Sequence, residues 1–546
     1  MLDFVVRGGK VIDGTGCGWF YADVLVKDGY IEHVCRGHKR PEYWRERAAH
    51  VIDAAGKYVL PGFIDIHTHS DRSLLSNPNA KSALLQGVTT ECTGMCGISV
   101  FPQNPGYESL EDFRNVLMKE RIAINVAPFV GHGTLRAKVM GKEGQGGERF
   151  FPQEQQMRQM EELLAQALDE GAFGISTGLI YPPGRNAAPA EVVRLARVAA
   201  RSGGVHCCHL RSEEDMLIEA VEELTRITSE SGAPASISHH KAMFRRNWGK
   251  PCETLRMIES AREDGIELVC DFYPWTISAV SLLIDKIVPL LDYVADPGLL
   301  QKPKERAALS VLEDDSTWQS AKQILVEQSG NERAQNECRS RALLPHGAVT
   351  RKSRDLEYWE VVAFSPSRPE FFGLTYKEIA DTLGEEDHWD AMRRVCLLDE
   401  GLTRVGAGPM SEHDILAILG SANSIVSSDS SVTDGSSALH PRVYANFSQA
   451  LSWFIKQKNA ISLERLVQKC TSMPAGFAGI EGRGCIKKGF YADVTVLDWE
   501  RFASHADFAE PAKHPSGVEH VLVNGRLAVE DGKCTAVRAG QVLSRM

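Results

Sequence analysis

The chain has no apolar run approaching the roughly 20 residues that a membrane-crossing helix needs. It also has no cluster of Lys and Arg of the kind that tracks a phosphate backbone, and its net charge of −11 is spread along its length. Neither a membrane nor a nucleic acid is therefore expected as a partner. A disulfide framework is missing too: the 13 cysteines are odd in number and lack paired spacing, at positions such as Cys92, Cys96, Cys207, Cys208 and Cys270. Reduced thiols are expected, one of them a potential ligand. The opening stretch Met1–Gly9 reads as a strand, not as a charged segment followed by an apolar signal core, and a cytoplasmic protein is the expectation.

The chain does have room for a large enzyme. With 546 residues, 43% apolar and 24% charged, it exceeds what one core usually supports, so one large domain and one smaller are expected. Residues 1 to about 59 read as short strands with glycine turns, at Phe4–Ile12, Ala22–Val26 and Tyr30–Val34. The C-terminal stretch has the same texture, at Ala492–Leu497 and Val518–Arg526, so segments 1–59 and 475–546 are expected to pair into one small β-sandwich domain. Between them, strand-like runs (Ile124–Val130, Gly174–Ser176, Val205–His209, Ala235–His239, Glu267–Asp271) alternate with amphipathic segments such as Gln156–Glu170 and Ala190–Ser202. That alternation predicts an α/β fold, a (β/α)8 TIM-like barrel over residues 60–474, with its chemistry at the C-terminal ends of the strands.

The residues able to do chemistry fall at those ends. The apolar run before His67-Thr-His69 delivers two imidazoles, one residue apart, to the same face of a strand. Cys96 follows the run from Gly87, His209 ends the Val205 run, His239 ends the Ala235 run, and Asp429 closes Ser424–Asp429. Each has an ordinary reading by itself: an inert buried thiol, a hydrogen-bonded core histidine, a helix cap. Their recurrence at strand ends points instead to a metal ion, because imidazole, thiolate and carboxylate are the donors zinc takes, with one position kept open for water in a catalytic site.

The order His67-Thr-His69, Cys96-Gly97, His209-Leu-Arg-Ser-Glu213, Ser238-His-His-Lys241 and Ser428-Asp429 resembles the amidohydrolase superfamily and, within it, the N-acyl-D-amino-acid deacylase (D-aminoacylase) family. Gly131–Arg136, Ser176–Pro183, Asn247-Trp-Gly249, Asp271–Pro274 and His440-Pro-Arg442 extend the likeness over nearly the whole chain. Other two-metal amidohydrolases bridge their metals with a carboxylated lysine on the fourth strand. Here that strand, Phe173–Tyr181, has no lysine, and in the D-aminoacylase family a cysteine after the second strand takes its place; Cys96 matches it.

The resemblance implies that Cys96, His209 and His239 hold a tightly bound zinc ion, with His67 and His69 at a weaker second position. His239 is preferred to His240 because its separation from His209 matches the family's. Asp429 is implied as the base that takes the proton of the attacking water and returns it to the leaving nitrogen. Lys241, Arg442, Tyr181 and Tyr273 are implied to bind the substrate carboxylate. The region of about 285–385, with the charged stretch Asp314–Arg354, resembles an insertion that covers the site as a lid.

The expected activity is zinc-dependent hydrolysis of N-acyl-D-amino acids, a small-molecule substrate being the one partner expected; no oligomeric state follows from the sequence. Hydrolysis of another amide, such as a cyclic amide or an N-acyl dipeptide, and a non-catalytic scaffold are the alternatives. Three departures from the family pattern bear on activity: Met95 before Cys96, Cys208 before His209, and Ser430 after Asp429.

Overall fold

The computed structural model describes residues 1–37, 43–44, 46–103, 106–145, 151–286, 288, 303–326, 360–407, 409–435 and 439–545. Two strand systems organise them. The first is a nine-stranded sheet in which both ends of the chain meet, in the order Lys533–Cys534, Arg526–Glu530, Val518–Val523, Val494–Leu497, Tyr58–Pro61, Leu2–Val11, Phe20–Lys27 and Tyr30–Arg36, with Ala48–Asp53 also pairing with Leu2–Val11. The joint is antiparallel, with Val59 opposite Val496 and Leu60 opposite Thr495. Along Leu2–Val11, Phe4 and Val6 enter a core with Val24, Val494 and Leu522, whereas Val5 enters another with Leu25 and Trp44. A strand's two-residue period, with apolar residues on both faces, places this sheet between two cores.

The second system is a succession of parallel strands: β1 (Phe63–Asp65), β2 (Val88–Thr93), β3 (Asn125–Pro128, continued by Val130–Gly131), β4 (Gly174–Gly178), β5 (Val205–His209), β6 (Ala235–Ile237), β7 (Leu268–Phe272) and β8 (Ser424–Val426). Each pairs in parallel with the next, β3 pairing with β4 through Val130–Gly131. A parallel bridge between Thr68 and Ser430 links the ends of β1 and β8. Both faces of these strands are covered, so they read as continuous apolar runs. Ile64, Cys92, Ala127, Cys207, Val269 and Ile425 share one buried cluster, and Phe63, Ile175, Cys208, Ile237, Cys270 and Phe272 share another with the surrounding helices.

The helices follow the pattern in the sequence. The stretch expected at 190–202 is the helix Pro189–Arg201, which starts on a proline whose missing N–H would be unbonded in a first turn anyway. The 156–170 stretch is the helix Glu154–Asp169.

Between β7 and β8 the strands Val280–Leu282, Glu360–Phe364 and Arg404–Ala407 form a small antiparallel sheet. With neighbouring helices it builds its own core from Leu312, Trp318, Phe371, Tyr376 and Trp389. Of the charged stretch Asp314–Arg354, residues 327–354 lie outside the described residues. Among the described residues no helix is long and apolar enough to cross a membrane.

Candidate active site

The C-terminal ends of the parallel strands bring the predicted residues to one place. His67 and His69 follow β1, Cys96 follows β2, His209 is the last residue of β5, His239 follows β6, and Asp429 follows β8. Three of them have left-handed backbone: Cys96 at φ 53°, His239 at φ 36° and Asp429 at φ 50°. For residues with a side chain that conformation costs about 1–3 kcal/mol, and such strain collects where surrounding contacts fix a functional group. At Cys96 the enforcing contacts are visible. A Cβ on Gly97 would come 2.7 Å from Gly178 N, and one on Gly178 would come 2.2 Å from Cys96 O, so the turn is pressed against the end of β4.

Cys96 Sγ lies 3.2 Å from His67 Nε2 and 3.3 Å from His239 Nε2. Asp429 Oδ1 is 3.1 Å from His69 Nε2 and 3.6 Å from His67 Nε2. The ring centroids of His209 and His239 are 4.3 Å apart. Candidate donor atoms of His67, Cys96, His239 and Asp429 lie within 4.8 Å of one another, and those of His209, Glu213 and His239 do likewise. Among the described residues neither buried ring nitrogen of His209 has a hydrogen-bond partner, the Glu213 carboxylate standing 3.7 Å from Nε2. A shared cation would satisfy such orphaned, convergent donors, and the nitrogen, sulfur and oxygen set fits zinc.

Two carboxylates stand behind the imidazoles. Glu213 Oε1 is 2.9 Å from His239 Nδ1. Asp271 Oδ1 is 3.5 Å from His67 Nδ1, and it accepts the His239 backbone N–H at 2.8 Å and the Ser427 hydroxyl at 2.6 Å. Carboxylates on the far nitrogen fix the tautomer and orientation of a ligating histidine. Sequence alone assigns neither carboxylate a role. The available signal was their position, four residues after His209 and at the end of β7 beside the His239 strand.

The electrostatics follow from this packing. Burial opposes ionisation of the Cys96 thiol, yet the neighbouring His67 and His239 hold its pKa well below the usual thiol range. Burial likewise opposes charge on Asp429, but Arg442 and then His239 hold its carboxyl well below the usual carboxylate range. Against their own burial, the rings gain from these anions, with His69 and His239 each raised to about 9. The cluster thus attracts positive charge, and protons on its donors are what a metal ion would displace.

The residues expected to receive the substrate carboxylate divide. Arg442 Nη1 lies 2.9 Å from Asp429 Oδ2, and the guanidinium is 5.1 Å from the centre of the Tyr273 ring. Lys241 Nζ is 5.6 Å from that ring, 2.5 Å from Glu213 Oε1, and donates to His239 O at 2.7 Å. Among the described residues the buried Tyr273 hydroxyl has no hydrogen-bond partner. Tyr181 is apart from these three, its hydroxyl donating to Cys96 O at 2.9 Å and its ring 5.1 Å from that of His209. His240 turns away, with Nε2 2.7 Å from Thr254 Oγ1 in the following helix.

Known proteins resemble this chain along its whole length. A model of the amidohydrolase family matches residues 50–272 and 424–529, so the chain belongs to that family and, within it, to the N-acyl-D-amino-acid deacylases. An N-acyl-D-glutamate deacylase of Alcaligenes xylosoxydans xylosoxydans is 31% identical over 561 residues, covering 100% of this chain and 97% of the relative. A solved D-aminoacylase with a binuclear metal centre superposes with a TM-score of 0.73 at 28% identity, covering 100% of both chains. The N-acyl-D-glutamate deacylase of Bordetella bronchiseptica, complexed with zinc and a phosphonate mimic of the tetrahedral intermediate, gives a TM-score of 0.71 at 29% identity, again over 100% of both chains.

Proposed function

We propose that this protein hydrolyses the amide bond of N-acyl-D-amino acids in a zinc-dependent reaction, releasing a carboxylate and a D-amino acid. The observation that carries the reading is the convergence of Cys96, His67 and His239 within about hydrogen-bond distance, beside Asp429 and the unpartnered nitrogens of His209. Activities of the relatives support it.

In this reading Cys96, His209 and His239 hold zinc, with His67 and His69 at a second, weaker position. A zinc ion there supplies a Lewis acid and lowers the pKa of water to about 7. Asp429 accepts the proton of the attacking water and hands it to the amide nitrogen, which leaves as an amine. Arg442 and Lys241 offer charge to the substrate carboxylate, and the free Tyr273 hydroxyl offers a hydrogen bond. Tyr181, beside Cys96, is the fourth residue of this substrate-binding set.

The same reading takes β1 to β8 as a closed (β/α)8 barrel over residues 60–474, supported by the Thr68–Ser430 bridge. Segments 1–59 and 475–546 form the β-sandwich, supported by the two cores flanking the nine-stranded sheet; of the lid expected within about 285–385, residues 287, 289–302 and 327–359 lie outside the described residues. A cytoplasmic location fits the 12 free cysteines among the described residues. A scaffold would have no use for an intact donor set. The test is amine release from a panel of N-acetyl-D- and L-amino acids, N-acetyl-D-methionine among them, with zinc content measured on the same preparation. A folded, zinc-loaded sample that releases no amine from any D-substrate sinks the proposal.

A further inference from the structure

Asp65 and Glu91 are cross-strand partners in the β1–β2 ladder. Their neighbours Ile64, Ile66 and Cys92 belong to the cluster that the strands share, so the two carboxyls, lying between them, face the opposite, helix-covered side. They are 2% and 3% exposed. Like charges at directly opposed positions repel, and burial strengthens that repulsion. Asp65 Oδ1 receives the N–H of Ser428 at 3.0 Å and that of His67 at 3.3 Å. The hydroxyls of Ser70 and Thr68 reach the Glu91 carboxyl, but among the described residues its buried Oε2 has no hydrogen-bond partner.

Both carboxyls line a cavity of about 10 Å³ together with Ser82, Gln86, Ser430 and Ser431. That is room for one water-sized occupant. The polar lining offers oxygen from carboxylate, hydroxyl and amide, with neither sulfur nor imidazole, which is the donor set of a hard cation and not of zinc. The cavity also sits where the segment carrying Asp429 is fastened: Ser431 donates its hydroxyl to His69 O at 3.0 Å, and Val432 N donates to Ser70 Oγ at 3.0 Å.

We propose that this cavity binds one hard, oxygen-seeking cation, of the sodium, potassium, magnesium or calcium kind, between Asp65 and Glu91, as a site separate from the cysteine–histidine centre. The ion lies between the two buried carboxyls, in place of any proton they hold, and clamps the Ser428–Val432 segment to the end of β1. Asp429 is thereby held at a fixed distance from His67 and His69.

The test is thermal unfolding of the protein as purified, exchanged into choline chloride and titrated with NaCl, KCl, MgCl2 or CaCl2 at constant ionic strength. The proposal expects a saturable rise in Tm with at least one of the four salts, and loss of that rise in E91Q. An identical Tm in all five salts overturns it, as does a rise that E91Q retains in full. If E91Q does not fold, S82A takes its place. Removal of one oxygen from the lining should raise the half-saturating cation concentration by about 3- to 10-fold, and an unchanged value overturns the proposal. Deacylase activity does not enter the readout, so the result stands whatever the substrate proves to be.

Discussion

The hydroxyl of Tyr181 donates to the carbonyl oxygen of Cys96 across 2.9 Å, fastening the end of β4 to the turn after β2. Cys96 sits at φ 53°, a conformation that its own side chain resists. The tyrosine therefore helps to keep the thiol aimed between His67 and His239. Replacement Y181F keeps the ring and removes the bond, at about 0.5–1.5 kcal/mol. The expected result is a lower Tm and zinc lost about 3- to 10-fold more readily to a competing chelator. Dialysis against graded chelator with metal analysis reads it, and unchanged retention would confine Tyr181 to contact with substrate.

Substitution C96S should strip the tight metal position. The serine hydroxyl is not ionised at neutral pH, whereas the Cys96 thiol is held well below its usual pKa by His67 and His239, once burial has been overcome. Atomic spectroscopy on the purified variant should show less than the wild-type zinc per chain, with turnover lost in parallel. Full zinc content in C96S would remove the cysteine from the ligand set.

Asp429 has a different signature. D429N should lower kcat by about 10²- to 10⁴-fold, the range for a lost general acid–base, while zinc content stays at the wild-type level. Loss of zinc along with turnover would recast Asp429 as a ligand.

Glu213 joins two groups, His239 at 2.9 Å and Lys241 at 2.5 Å. E213Q leaves the buried Lys241 ammonium without its counter-ion, a break that costs about 3–5 kcal/mol. The double variant E213Q/K241M should recover part of the lost stability, because the stranded charge is gone. Denaturant titration of the two singles and the double measures the coupling; additive losses would show that the pair is not coupled.

Lys469 supplies a pH test away from the metal centre. It is buried and donates to Ser421 O at 2.5 Å, Ser424 Oγ at 2.9 Å and Ser424 O at 3.1 Å. Burial pulls its pKa from 10.5 to about 8. Between those two values the unfolded chain carries a proton that the folded chain lacks, so this residue's contribution to stability rises with pH across that window, by about 3 kcal/mol in total. Below about pH 8 both states are protonated and the contribution is flat. The stability of wild type minus that of K469M, followed from pH 7.5 to 9.5, should slope upward above pH 8; a level difference would show that Lys469 keeps its proton.

The strand-end residues were legible in the sequence because each lies within a short apolar run that is buried on both faces, as at Val205–His209. The joining of the two chain ends was legible in their shared texture and is realised through Tyr58–Pro61 against Val494–Leu497. The insertion's core was not legible: Trp318 and Trp389 come from separate helices whose other faces are charged, and their meeting depends on contacts distant along the chain. Glu213, Asp271 and Glu91 were given no role for a related reason. An acidic residue declares its part only through what it packs against, and for Asp271 those groups, His67 and Ser427, follow β1 and β8, far apart along the chain.

The placement of Val494–Leu497 beside Tyr58–Pro61 has a consequence for the order of events in synthesis. His67 lies just past Tyr58–Pro61, so this histidine is made almost together with that strand. The strand that flanks its base emerges more than 400 residues later. At about 5–20 residues per second that interval is of the order of 20–90 seconds, during which one edge of Tyr58–Pro61 is open to any other extended chain. A nascent chain of this protein therefore carries His67 and His69 well before it can complete the sheet at their base.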